Sequence, residues 1–385
     1  MLGRLLFDRK IRDRLWQVAI GVGLTALVAF FVRNASENMV KAGIAAGFDF
    51  LWRNSGIDVP FVLTGYKSSD TLWALFWAGV ANTLFVTVIA IVLASVLGFL
   101  IGLARLSTHW LLSSVAGAYV EFVRNIPLLF FVLFWYFGVI ASLPQPNDSV
   151  GLFGAIFLNN RGLTIPYPLD GSGFRWAAAA IAASIMLMWA VVRWSTIRKL
   201  RTGADTPLLS IGIALCGVVP LLALFWAGRS TAWDMPLAGR FNLRGGTVLI
   251  PEFVALLMAL VTYTAGFIAE IVRGGIAAVP SGQREAAAAL GLRGGQILRF
   301  VVVPQAMRVI IPPMTSQYLN VLKNSSFGAV IAYPDVVSLF MGSALNNVGQ
   351  AIEIIAMVLA VYLFFGLLVS ALMNWFNTRM ALVAQ

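Results

Sequence analysis

The sequence predicts an all-α integral membrane protein of about eight transmembrane helices. Three observations carry that expectation. Of the 385 residues, 60% are hydrophobic and 11% charged, with a mean hydropathy of +0.87, more apolar surface than a soluble domain could hide. The apolar residues fall in uncharged runs long enough to cross a hydrocarbon core, which takes about 20 residues per helix. The basic residues gather in the segments between particular runs, as the positive-inside rule requires of cytoplasmic loops. A transmembrane β-barrel would show short alternating segments instead.

The first run, residues 15–32, follows Arg4, Arg9, Lys10, Arg12 and Arg14. No small-residue cleavage site follows it, so it reads as a retained helix and not as a secretory signal. The second, 72–103, is much longer, and its Ala94, Gly98 and Gly102, four apart, form a small-residue seam for close helix packing. Runs at 126–143 and 176–192 come next, and Arg193, Arg198, Lys199 and Arg201 follow the latter. The run at 207–228 holds the lone Cys216, which has no intramolecular disulfide partner. Runs at 253–269 and 354–373 flank a weaker one at 310–331, marked by Pro312 and Pro313. Residues 33–71, 144–174 and 234–240, rich in Gly, Pro, Asn and Asp, read as outward connectors. An even number of spans puts every basic segment and both termini in the cytoplasm. The net charge of +11 is thereby explained by topology, and no nucleic-acid partner is expected.

Catalytic chemistry is hard to assemble from these residues. One histidine, His109, and one cysteine cannot make a zinc site, and no G-x-x-x-x-G-K-[ST] segment exists to hold a nucleotide phosphate. The expectation is a chain that hydrolyses no ATP and binds no metal or cofactor itself. Two charged echoes stand out, Glu121 with Arg124 and Glu270 with Arg273. At a spacing of three, each pair shares a helical face and can form an ion pair at the membrane boundary. A gating role fits the same residues.

The segment EAAAALGLRGGQILRFVVVP, 285–304, interrupts the apolar runs. Pro280 and Ser281 can start a helix, Glu285 lies in its first turn, Ala286 to Ala289 propagate it, and Gly291 suits a left-handed C-terminal cap. Ala286, Ala289, Leu290 and Arg293 fall on one face. Small side chains there favour a protein groove as the partner over a lipid surface, which usually receives bulkier residues.

Glu285-Ala286-Ala287, Gly291, Val301, Val303 and Pro304 match the spacing of the cytoplasmic EAA signature, and the chain resembles the membrane subunits of ATP-binding-cassette importers. YVEFVRNIPLL (119–129), AEIVRGGIAAVPSGQREAA (269–287), PQAMRVIIPP (304–313) and LKNSS (322–326) are similar to segments of the polar amino-acid uptake branch, of the general L-amino-acid or glutamate/glutamine/aspartate/asparagine type. The resemblance covers about residues 72–143 and 250–375. It divides the chain into 1–71, with the first span and an outer loop; 72–143, the first part of a permease core; 144–249, an insertion with two extra spans; and 250–385, the second part. The core would comprise five helices, the second, third, sixth, seventh and eighth spans.

The resemblance implies that a coupling helix near 281–294 docks on an ATPase, with Glu285, Ala286, Ala287, Leu290, Gly291 and Pro304 as the coupling residues. Two ATPase subunits would use the ATP and Mg, a periplasmic solute-binding protein would deliver an amino acid, and a second permease, a homologous heterodimer partner, would complete the path through the lipid of a bacterial inner membrane. Polar groups inside spans are the candidates for a substrate path or gate: Asn82, Thr83 and Thr87 on one helix, and Ser316, Asn320, Lys323 and Asn324 beside Ser325 on another, together with Glu121, Arg124, Glu270 and Arg273. The Lys323 ammonium needs an anion inside a membrane. A substrate carboxylate would serve, and so would Glu121, Glu270 or backbone carbonyls. The rival reading is an ion-gradient-driven secondary transporter, which has no use for an ATPase-docking helix.

Overall fold

The computed structural model describes residues 9–41, 47–202, 218–219, 221–229, 231–239 and 243–381. Arg4, Cys216, Arg240 and most of the expected span at 207–228 lie outside the described residues. Among the described residues, five helices are long and apolar enough to cross a membrane, and a sixth span arises if one bent helix pair is counted. The expected eight are therefore not reached within them.

The chain forms two compact units. The first comprises residues 1–132 and 256–385. Helix α1 (Arg9–Lys41) carries an apolar stretch, Leu15–Phe31, shorter than a full span. Helix α2 (Leu72–Arg105) begins where the Thr71 hydroxyl accepts the Ala74 N–H at 3.3 Å, an N-cap that satisfies one of the helix's free donors. Helix α3 (Trp110–Asn125) follows, and its axis lies 108° from the apolar helical segment Leu128–Ser142. Pro127 explains the break: it lacks an N–H, and the residue before a proline avoids helical geometry. Ile126 accordingly sits at φ −113°, ψ 132°. The expected span at 126–143 is thus one arm of a bent pair whose other arm is the amphipathic α3. Helix α4 (Leu128–Leu133) begins that arm, which continues through a wide turn over Phe134–Val139 and a tight one over Ile140–Ser142.

The second unit comprises residues 133–255, limits that lie outside 144–249 at both ends. Residues expected to form an irregular connector build a four-stranded antiparallel sheet instead, in the order β1 (Val150–Leu152), β2 (Ile156–Asn159), β3 (Gly162–Ile165), β8 (Thr247–Leu249). Gly162, at φ +113°, has no room for a side chain, since a Cβ would lie 2.1 Å from the Leu249 carbonyl oxygen. Two shorter ladders pair β4 (Tyr167–Pro168) with β5 (Trp233–Asp234), and β6 (Leu237–Ala238) with β7 (Leu243–Arg244). Helix α5 (Ser172–Thr202) contributes a candidate span over Ser172–Ser195, and residues 221–229 are helical.

Helix α6 (Pro251–Ala277) leads back into the first unit, where α7 (Ser281–Ala289), the single turn α8 (Gly294–Ile297) and α9 (Val303–Asn324) follow. A wide turn, Leu298–Val302, precedes α9, and a tight helical segment, Ser325–Ile331, extends it. Pro312 and Pro313 sit inside α9, tolerated as prolines are in membrane helices. After a buried connector, Val337–Ala344 forms another wide helix, followed by the short α10 (Leu345–Val348) and the long α11 (Ala351–Ala381).

Two apolar clusters hold this first unit together. One gathers Phe50, Leu51, Leu72, Leu75, Phe340 and Ile354; the other gathers Ala94, Ile268, Val272, Val302, Ala306 and Ile310. The seam of Ala94, Gly98 and Gly102 lies against α6, as its spacing predicts. A Cβ at Gly98 would stand 2.6 Å from Ile268 Cβ, and one at Gly102 would stand 2.8 Å from the Ala269 carbonyl oxygen.

Candidate functional site

Helix α7 carries the first residues of the EAA segment, Glu285 to Ala289. Its end is a Schellman motif: the Gly291 N–H donates to Ala288 O at 2.9 Å and the Leu292 N–H to Ala287 O at 3.2 Å. Gly291 adopts φ +79°, the left-handed conformation that glycine enters without penalty. Glu285, Ala286, Ala289, Leu290 and Arg293 are exposed, Leu290 at 83%, whereas Ala287 is buried. The face of Ala286, Ala289 and Leu290 therefore points away from the unit, and Ala287 seats the helix on it. Pro304 lies in the first turn of α9, directly after the wide turn Leu298–Val302.

Side chains also anchor α7. Arg284 Nη2 donates to the Ile276 carbonyl at 3.2 Å, and Gln305 Nε2 donates to Gln283 Oε1 at 3.5 Å. Near the last turn of α6, Glu270 pairs with Arg273 as its spacing allows. Arg273 Nη2 donates to Oε1 at 2.6 Å and Nε donates to Oε2 at 3.3 Å. Arg105, from the end of α2, donates from Nη1 to the same Oε2. Sequence reasoning missed Arg105, Gln283 and Gln305 because these partners are remote in the chain.

The second echo behaves differently. Glu121 and Arg124 are both exposed and form no ion pair with each other. Their expected bridge gives way to separate environments at the end of α3: Asn125 Nδ2 donates to the Glu121 carbonyl at 2.7 Å, and Arg124 stands in the last turn, where a cation complements the helix dipole.

The polar groups proposed for a path fall into two sets. Asn82, Thr83 and Thr87 are buried and bonded to backbone. Asn82 Nδ2 donates to both Phe61 O and Pro334 O at 2.9 Å, and Thr83 Oγ1 accepts the Val336 N–H at 3.0 Å while donating to Gly79 O. Thr87 Oγ1 donates to Thr83 O at 2.7 Å. Asn82 and Thr83 staple α2 to the buried connector at 332–336, while Thr87 bonds only within α2. Ser325 is likewise buried, with Oγ donating to Leu322 O at 2.7 Å.

On α9 the picture reverses. Ser316, Asn320 and Lys323 are exposed along one face, with Asn324 half-buried beside them. Lys323 has no ion-pair partner among the described residues, so pairing with Glu121 or Glu270 is not what the fold provides, and Glu270 is already engaged by two arginines. His109 is exposed at the start of α3, as a boundary residue would be. Among the described residues, no three His, Cys, Asp or Glu side chains cluster as metal ligands would.

Residues 200–382 match the family of binding-protein-dependent transport system inner membrane components. The chain is 48% identical over 375 residues to the putative amino-acid ABC transporter permease protein YhdX of Escherichia coli (strain K12), covering 97% of this chain and 95% of that one. It is 44% identical over 380 residues to the general L-amino acid transport system permease protein AapQ of Rhizobium johnstonii, covering 99% and 95%. With the glutamate/glutamine/aspartate/asparagine transport system permease protein BztB of Rhodobacter capsulatus it shares 34% identity over 411 residues, covering 99% and 96%. These matches give no support to a gradient-driven secondary transporter. Identity of this extent along nearly the whole chain places it, as a multi-pass transport component and not an enzyme, among the permease subunits of amino-acid ABC transporters.

Proposed function

We propose that this chain forms part of the membrane path of an ATP-driven importer that moves polar or acidic L-amino acids into the cytoplasm. The observation that carries the reading is α7, a short capped helix whose Ala286, Ala289 and Leu290 are exposed while Ala287 anchors it. A large apolar side chain exposed beside small ones is what a groove in another protein accepts. The occupant of choice is an ATPase subunit, one beneath this chain and one beneath its membrane partner, and the ATP and Mg belong to those subunits.

The exposed face of Ser316, Asn320 and Lys323 supports a second permease opposite this one. Polar groups on a spanning helix require protein or water around them, since lipid leaves them unsatisfied. A homologous but distinct subunit would give a heterodimer with a polar cavity between the two chains, and Lys323 would meet a substrate carboxylate there. A soluble binding protein delivers the amino acid from the side opposite α7. Both termini then lie with α7 in the cytoplasm of a bacterial cell.

The test is uptake of labelled amino acids by proteoliposomes containing the complete complex, with ATP enclosed and ion gradients collapsed. Uptake that persists and requires this chain supports the proposal. Uptake that tracks the gradient and ignores ATP overturns it.

A further inference from the structure

The Arg105, Glu270 and Arg273 cluster belongs neither to the α7 surface nor to the polar face of α9. Its side chains are 16%, 26% and 37% exposed, respectively, so they lie at a boundary where charge-assisted hydrogen bonds outlast exposed ion pairs. We propose that the cluster is a coupling latch, holding the ends of α2 and α6 together so that displacement of α7 carries both helices with it. This inference rests on the importer reading above.

A continuous series of directional bonds supports it. Arg284 ties α7 to the carbonyl of Ile276 in the last turn of α6, and Gln283 meets Gln305 of α9. One turn back from Arg273, Glu270 takes a two-point fork from that arginine and a third bond from Arg105. The Arg105 carbonyl in turn accepts the Ser113 hydroxyl of α3 at 3.0 Å. Helices α7, α6, α2 and α3 are thus joined in sequence by hydrogen bonds.

The seam between α2 and α6 needs such a fastening. Gly98 and Gly102 bring the helices close but offer no directional bond, whereas a carboxylate gripped from both helices fixes their register at one end. Glu270 is the shared element, and the three residues are positioning residues, acting on the path through the helices that they join. Arg273 makes a fork that lysine cannot reproduce, while Arg105 makes one contact that it can.

The experiment compares ATP hydrolysed with amino acid imported, in proteoliposomes of the whole complex. Glu270→Gln is expected to leave complex assembly and ATP hydrolysis in place while lowering imported amino acid per ATP about tenfold, in the range of ordinary coupling energies. Arg105→Lys should retain most coupling, and Arg273→Lys, whose contacts stay within α6, should retain part of it. The reversed pair, Arg105→Glu with Glu270→Arg, re-forms the bond between α2 and α6 without the Arg273 fork and should restore much of the ratio lost in Glu270→Gln. An unchanged ratio in Glu270→Gln, or hydrolysis and import falling in proportion, overturns the latch. If Glu270→Gln does not assemble, the reversed pair decides: restored assembly and ratio support the latch, and failure to restore either overturns it. Native complex that imports nothing on ATP overturns the importer reading itself.

Discussion

A Cβ at Gly291 would touch nothing within 4 Å, so any cost of replacing it comes from backbone conformation alone. An L-residue with a Cβ in the left-handed region costs about 1–2 kcal/mol, and asparagine tolerates that region better than most. Gly291→Val should therefore unravel the last turn of α7 and reduce ATP-driven uptake, with Gly291→Asn intermediate. Melting of the membrane bundle, followed by circular dichroism, should barely change. Leu290→Ala should also leave melting unchanged, because the side chain is 83% exposed, yet weaken co-purification of the ATPase. Equal co-purification by native and Leu290→Ala chains would remove Leu290 from the docking surface. Asn82 makes the opposite case. It is fully buried, and losing its amide strands the carbonyls of Phe61 and Pro334, each worth about 1–3 kcal/mol. Asn82→Leu should lower melting clearly.

Between elements, the packing of α2 on α6 is decided by the absence of side chains. A methyl at Gly98 would overlap Ile268 and stand 3.0 Å from the Ala265 carbonyl oxygen, while one at Gly102 would crowd Ala269 O and Val272. Gly98→Ala and Gly102→Ala should each destabilise the bundle by about 1–3 kcal/mol, as overpacking does, read as a lower melting temperature of the detergent-solubilised chain. Gly117, with nothing within 4 Å, is the control that should tolerate alanine. This seam was legible in the sequence because spacing of four is a local property of one helix. So were α7 and its glycine cap, where alanine propensity, the proline before and the glycine after agree. The break at Ile126 and Pro127 coincides with the start of the expected run at 126–143, but the other arm of the bent pair was not legible, since α3 carries Ser, Glu and Arg and shows no continuous apolar run. The strands of the second unit span two to four residues each, too few for an alternation to register. Arg105 meets Glu270 across 165 positions, and nothing in either neighbourhood announces the other.

At the scale of the whole molecule, the described structure leaves two kinds of surface on spanning helices, and they call for different surroundings. Leu359, Leu363, Phe364 and Leu367 on α11 are exposed and apolar, which lipid covers at no cost. Ser316, Asn320 and Lys323 on α9 are exposed and polar, and an ammonium in hydrocarbon is too costly to stand without water or an anion. On the reading proposed above, the second surface faces a cavity shared with another subunit, and the ammonium, without an ion-pair partner among the described residues, suits the one group that all L-amino acids share, their α-carboxylate. Lys323→Gln should then weaken apparent affinity for every imported amino acid by a similar factor, about tenfold or more for a lost charged hydrogen bond. Selectivity among amino acids should hold. The measurement is KM for a panel of acidic, amide and neutral substrates in proteoliposomes. A loss confined to acidic substrates would instead make Lys323 a reader of side chains, and unchanged KM values throughout would take it out of the substrate's path.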